Sequence, residues 1–196
     1  MNATLATRLT PISNTLLRNV LLAVVGSLFV AGAAQVSVPF IPVPLTLQTL
    51  AVLLVGGAYG LRLGTATLCL YALEGAIGLP FFAHANGGFA YLLHGATAGY
   101  VLGFIVAAAF MGRMAERGAI ASPIRMAIAA LVASALVYVP GVLWLAQWFA
   151  NAKGMGAGDA MNAAFTGGFV PFIWGDIMKA VIAGLSLAGG WSLMKR

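Results

Sequence analysis

The chain has 196 residues, 62% of them apolar and only 7% charged, with ten Lys+Arg against four Asp+Glu. A soluble domain carries about 25% charged residues and keeps them on its surface, so a water-soluble globular protein is excluded, as is a disordered chain. An integral membrane protein remains: at about 20 residues per crossing the length holds roughly six spans with short loops, and residues 1–196 read as one transmembrane domain without a separate soluble one.

Residues 1–18, with Arg8 and Arg18, read as a cytoplasmic N-terminal segment. Span one is expected over 19–38, closed by the Pro-rich stretch Pro39-Phe40-Ile41-Pro42-Val43-Pro44. Ala31-Gly32-Ala33 after this apolar run has the look of a signal-peptide cleavage site. The run continues to Val38, however, and is long enough to span. Spans two (45–59) and three (63–79) are short and joined by Gly56-Gly57-Ala58-Tyr59-Gly60, which reads as a helical hairpin that does not quite cross. Spans four, five and six are expected over 91–112, 126–149 and 169–194. The alternating ten-residue segments of a closed barrel are absent, so the fold class is an all-α bundle of six transmembrane helices.

The basic residues test this topology. Arg8, Arg18, Arg62, Arg113, Arg117, Arg125, Lys195 and Arg196 all fall on one side, and the loops of the other side carry only Lys153. The positive-inside rule then puts both termini in the cytoplasm. Topology thus accounts for the net charge of +6, and nucleic-acid binding loses its support.

Ionisable residues inside spans are costly and mark function by default. Glu74 lies near the outer end of span three, and Asp176 and Lys179 in the outer third of span six. His84, Asn86 and His94 lie in or beside the outer loop 80–93. One outward-facing polar pocket is the economical reading. Asp176 and Lys179 are three residues apart and share a helix face. They read either as a self-neutralising ion pair or as a ligand clamp of one acceptor and one cationic donor. Phe172, Trp174, Trp144 and Trp148 lie at the same level, as an interfacial belt, as pocket wall, or as both. Asn86-Gly87-Gly88 reads first as a turn. The apolar outer loop should fold back onto the protein as a lid would. Glu74 could accept from a ligand, cap loop amides or carry a proton.

Small residues recur every four positions at Gly95, Gly99, Gly103 and Ala107, an internal packing ridge, and at Ala23, Ser27 and Ala31, which could be internal or face a partner helix. One cysteine (Cys69), two histidines and four carboxylates without ligand spacing argue against a protein-held metal. The sequence has no P-loop for ATP and no protease or esterase motif, so neither a nucleotide cofactor nor an enzyme activity is expected.

Five fragments in order resemble the BioY family, the biotin-binding S components of energy-coupling factor (ECF) vitamin transporters. They are Pro42-Val43-Pro44-Leu45-Thr46-Leu47-Gln48-Thr49, Gly75-Ala76-Ile77-Gly78-Leu79-Pro80-Phe81-Phe82, Asn86-Gly87-Gly88, Gly99-Tyr100-Val101-Leu102-Gly103-Phe104, and Pro171-Phe172 with Gly175-Asp176 and Lys179. The resemblance implies the S-component fold, residence in the bacterial plasma membrane among lipid, and a biotin pocket near the outer surface. It implies that Asn86, Asp176 and Lys179 contact biotin, with Gly87 and Gly88 beside them. Thr46, Gln48, Thr49 and Tyr100 are candidates by motif membership. It also implies a transmembrane coupling protein and two ATPases as partners, met through a small-residue surface such as Ala23, Ser27 and Ala31. Biotin would be the transported ligand and no cofactor is implied. The family's Gly-Pro-Thr-Gly-Gly-Tyr reads here Gly95-Ala96-Thr97-Ala98-Gly99-Tyr100, which leaves the loop-to-helix corner less fixed. His94 stands where the family more often has a small residue, within reach of a ligand's carboxylate tail. An S component for another small vitamin, or a self-sufficient transporter, is the alternative function.

Overall fold

The structure is a computed structural model that describes residues 4–6, 10 and 12–194. The basic residues Arg8, Lys195 and Arg196 lie outside the described residues. Five stretches are long and apolar enough to cross a membrane: 15–35, 48–76, 98–116, 123–153 and 157–193.

Helix α1 (Thr15–Gln35) starts where the Asn14 side chain accepts from the amides of Leu16 and Leu17. Such a cap satisfies donors that the first turn leaves unpaired. The helix ends three residues before the expected limit. Val36 is already extended, and Ser37–Val38 (β1) pairs antiparallel with Leu45–Thr46 (β2). The intervening prolines cannot continue a helix, and Ile41–Pro42 is cis.

Helix α2 (Gln48–Ala76) reverses direction at Gly60, whose φ of 81° and ψ of 177° are not helical. In a straight helix residues eight apart are separated by roughly 12 Å. Here a Cβ on Gly64 would lie 3.1 Å from Gly56 Cα. Gln48 Nε2 also reaches Tyr71 Oη, at 2.7 Å. The arms α2a (48–59) and α2b (61–76) are therefore the hairpin expected from the sequence, and six segments run between the two ends of the bundle. At 1.5 Å per residue α2a is only about 18 Å long, short of the ~30 Å hydrocarbon core. Glu116 fastens the turn, its Oε1 accepting from Leu61 N–H at 2.9 Å. The sequence placed Glu116 in a loop; it is the last residue of α4 and caps the start of α2b.

The expected span four divides in two. A short helix α3 (Phe89–His94) stops at Gly95, which is extended, and α4 (Ala98–Glu116) begins after Thr97. Helix α5 (Pro123–Lys153) starts at a Ser122 cap followed by Pro123 and ends at the left-handed Gly154. Its 31 residues give roughly 46 Å, so it exceeds the membrane core. A further helix, α6 (Ala157–Gly168), occupies what the sequence left as a loop. Ala160, Ala164 and Gly168 form its buried face, while Met161 and Phe165 point outward. Helix α7 (Ile173–Leu193) closes the bundle.

The ridge of the fourth span is internal at Gly99, Gly103 and Ala107, whereas Gly95 is extended and precedes α4. A Cβ on Gly103 would stand 2.6 Å from Val137 O, and one on Gly99 would collide with Pro140 O. Helix α4 thus lies backbone to backbone on α5, where dispersion contacts replace the hydrophobic drive that lipid cannot supply.

Gly60→Ala puts a side chain in a conformation that is essentially glycine-only, with its Cβ 2.7 Å from Glu116 Oε1. A loss of about 1–3 kcal/mol is expected, read as an earlier unfolding transition of the detergent-solubilised protein.

Candidate functional site

A pocket opens at the end of the bundle opposite the Gly60 turn. Its empty space is about 620 Å³ with the open mouth included. Its position follows from the short α2a. That arm starts at Gln48, leaving room above it between the β1–β2 hairpin, α2b, α4, α5 and α7. Val43, Pro44, Phe82, Ala83, Val101, Phe104, Val137 and Phe172 supply apolar wall. Thr46, Gln48, Thr49, Tyr71, Thr97, Tyr100, Tyr138 and Lys179 supply polar groups.

The charged element lies on the first two turns of α7. Asp176 and Lys179 are both buried, at 5% and 7% exposure. Lys179 Nζ donates to Asp176 Oδ1 at 3.3 Å. Tyr138 of α5 donates its hydroxyl to Asp176 Oδ2. An ammonium has three donors, and Asp176 is the one described partner of Lys179. Two N–H groups of a buried cation therefore remain for another acceptor. That is the chemistry of an incomplete clamp.

Tyr138 is held on three sides by aromatic rings, with Phe169 and Tyr100 edge-on at 4.8 and 6.1 Å and Phe172 tilted at 6.3 Å between centroids. Tyr100 Oη in turn donates to Gly168 O at 2.9 Å, tying α4 to the end of α6. Across the pocket, Gln48 Nε2 donates to Tyr71 Oη, and Tyr71 donates to Phe81 O at 3.1 Å. The expected residues Thr46, Gln48, Thr49, Tyr100 and Lys179 thus come together, and Asp176 stands directly behind Lys179. Thr46 and Gln48 owe their place to the strand-to-helix junction, where Thr46 Oγ1 accepts from Gln48 N–H at 3.2 Å.

Asn86, Gly87 and Gly88 do not line the pocket; they shape its rim. Asn86 Nδ2 donates to Ala83 O at 2.8 Å, so it acts through a wall residue. Gly87 packs on Leu79 O where a Cβ would collide, and Gly88 has a φ of +100°. His94, at the end of α3, is exposed and outside the pocket wall. Glu74 is half-buried; its Oε2 has no partner and it caps no loop amide among the described residues. Of the flanking aromatics, Phe172 is wall, whereas Trp174 is 78% exposed and belongs to the lipid-facing belt. Trp144 Nε1 donates to Gly95 O at 2.9 Å, pinning the corner where the expected proline is missing.

The ridge Ala23, Ser27 and Ala31 requires correction. Ser27 is 0% exposed, Ala31 is buried and Ala23 half-buried. The ridge is turned toward the α2 hairpin, where neighbouring Gly26 meets Thr67 and Tyr59. Small residues there allow α1 to approach the chain's own hairpin, so this surface is not open to a partner. Tyr138, Tyr71 and Gln35 were missed by sequence reading. Tyrosines in spans are too common at membrane edges to stand out, and nothing along the chain links Tyr138 to Asp176.

The BioY family model matches residues 3–196. The chain belongs to the BioY family. Among curated relatives, a biotin transporter BioY of Thermotoga maritima is 38% identical over 160 residues, covering 81% of this chain and 86% of that one. A biotin transporter BioY of Rhizobium etli is 34% identical over 157 residues, covering 76% and 79%. The fold matches the crystal structure of the S-component for biotin from an ECF-type ABC transporter, with a TM-score of 0.73, 22% identity and coverage of 95% and 96%. A BioY chain is thus a multi-pass membrane protein of the S-component fold.

Two stability experiments check this geometry. Lys179→Met strands a buried carboxylate and should cost about 3 kcal/mol. Adding Asp176→Asn should recover part of that loss, which a double-mutant cycle by thermal unfolding will show. Ala31→Leu should destabilise the isolated chain by about 1–3 kcal/mol through overpacking. A surface position open to a partner would leave the isolated chain unaffected.

Proposed function

We propose that the chain is the biotin-capture subunit of a vitamin uptake transporter in the bacterial plasma membrane. The observation that carries this reading is the buried Asp176–Lys179 pair, whose lysine brings unused donors to the wall of a largely apolar and aromatic pocket. Two relatives named as biotin transporters at 38% and 34% identity support the same substrate. It is a transport protein rather than an enzyme.

Biotin presents a neutral ureido ring, an apolar sulfur ring and a carboxylate tail. Asp176 is acceptor-only, so it suits the ureido N–H groups. Lys179 is donor-only and takes a ligand oxygen. Tyr138 holds the carboxylate in place behind Lys179, at the edge of the site. Gln48, Thr46, Thr49 and Tyr100 are available around the ring system, and Phe82, Phe104 and Phe172 cover its apolar faces. Asn86 serves by holding the rim at Ala83 rather than by lining the pocket.

Among the described loop and helix-end residues, Arg18, Arg62, Arg113, Arg117 and Arg125 lie at the Gly60 end and Lys153 at the pocket end. By the positive-inside rule the pocket opens outward and both termini are cytoplasmic. The sequence has no ATP motif, and a bundle with one intramembrane ion pair among its described residues has no charged relay across the membrane. Import energy then comes from an ECF coupling protein and its ATPases. With Ser27 and Ala31 occupied internally, the α1 surface free for such a partner is the exposed apolar face of Val24, Leu28 and Gly32.

Calorimetry on the purified protein should show one tight biotin site. Asp176→Asn should weaken it by about 1–3 kcal/mol, the cost of losing a charge-assisted hydrogen bond. A silent biotin titration with binding of another vitamin would reject the substrate.

A further inference from the structure

The outer loop between α2 and α3 is held by a group that the ligand site does not use. His84 and Ala85 have φ values of 59° and 56°, a region that residues with a Cβ rarely enter. Two such residues in succession persist only where surrounding contacts over-determine them. The clamp comes from the end of α1. Gln35 Oε1 accepts from Ala85 N–H at 2.8 Å, and Gln35 Nε2 donates to Phe82 O at 3.1 Å. The same Nε2 donates to Ala31 O at 3.1 Å, fixing the side chain to its own helix. The primary amide offers a donor and an acceptor at one tip, whereas an ionised Glu lacks the donor and Lys lacks the acceptor.

The loop residues that Gln35 pins frame the ligand space. Phe82 and Ala83 are pocket wall. Phe82 N–H donates to Asn86 O at 2.9 Å, closing a small ring, and Gly88 N–H donates to Gly75 O at 2.7 Å on the far side. Residues 82–88 therefore form a strap anchored to α2b at Gly88 and to α1 in the middle.

We propose that Gln35 is a positioning residue that holds this strap shut against the pocket, and that ligand leaves when the Gln35 contacts open. Left-handed strain at His84 and Ala85 drives the strap away from the closed form once the clamp is lost. This inference rests on the pocket being the biotin site, and its test separates the two.

The experiment uses the full chain in lipid nanodiscs. Gln35→Ala should speed biotin dissociation about tenfold, as two net hydrogen bonds are lost, with association nearly unchanged. Adding Ala85→Gly to Gln35→Ala removes part of the strain and should slow dissociation back toward wild type. A merely structural role for Gln35 gives no such rescue. Without ligand, hydrogen exchange at the Gly88 amide, which does not touch Gln35, should also quicken about tenfold in Gln35→Ala and recover in the double variant. Unchanged exchange, or acceleration that Ala85→Gly does not reverse, overturns the strap. If wild-type protein binds no biotin, the substrate reading fails and the exchange result still decides the strap.

Discussion

A carboxylate and an ammonium one helical turn apart, both inside an oily bundle, set the terms for the rest of this structure. Taking such charges out of water costs several kcal/mol per ion. The fold must return that through their mutual contact, through hydrogen bonds, or through a ligand. Tyr138 meets one oxygen of Asp176 and Lys179 the other. The ring of Tyr138 is in turn fixed by Phe169, Phe172 and Tyr100. The cation keeps unused donors, so the pair is neutral overall yet chemically unfinished. A ligand oxygen would complete it.

Room for that ligand comes from a length mismatch. The α2a arm is too short to cross, because Gly60 turns the chain and Gln48 begins the helix well below the outer rim. Longer neighbours surround the gap, and the β1–β2 hairpin with the 77–88 loop covers it. The Gly60 end is the opposite case. There Gly60, Gly112 and Glu116 pack without space, and the hairpin turn is locked to α4. A tightly packed base and an open rim at the pocket end follow from where the small residues and the loops fall.

Much of the fold is legible along the chain because the membrane imposes simple rules. Apolar run lengths locate α1, α4, α5 and α7, and the glycine cluster before Arg62 announces the hairpin. The Gly99–Ala107 spacing identifies an internal ridge. The α1 ridge has the same spacing, yet pattern alone could not say that α2 covers Ser27 and Ala31. Helix α6 escaped notice because its apolar face consists of alanines and glycine, which carry little hydropathy contrast. In the site, Asp176 and Lys179 declare themselves by their cost. Tyr138, Tyr71 and Gln35 do not, since uncharged polar side chains are tolerated at membrane edges without special purpose.

The sequence by itself determined that this is an all-α, multi-pass membrane protein, which side its basic loops favour, and that one polar locus lies beside α7. Those features depend on composition and spacing, which hydrocarbon reads residue by residue. Only the tertiary structure decided which polar groups meet. The partners of Asp176, Gln48 and Gln35 lie 38, 23 and 50 positions away, and no local rule spans such distances. The few charges that first marked the chain as insoluble acquire their function from neutral side chains that folding brings to them.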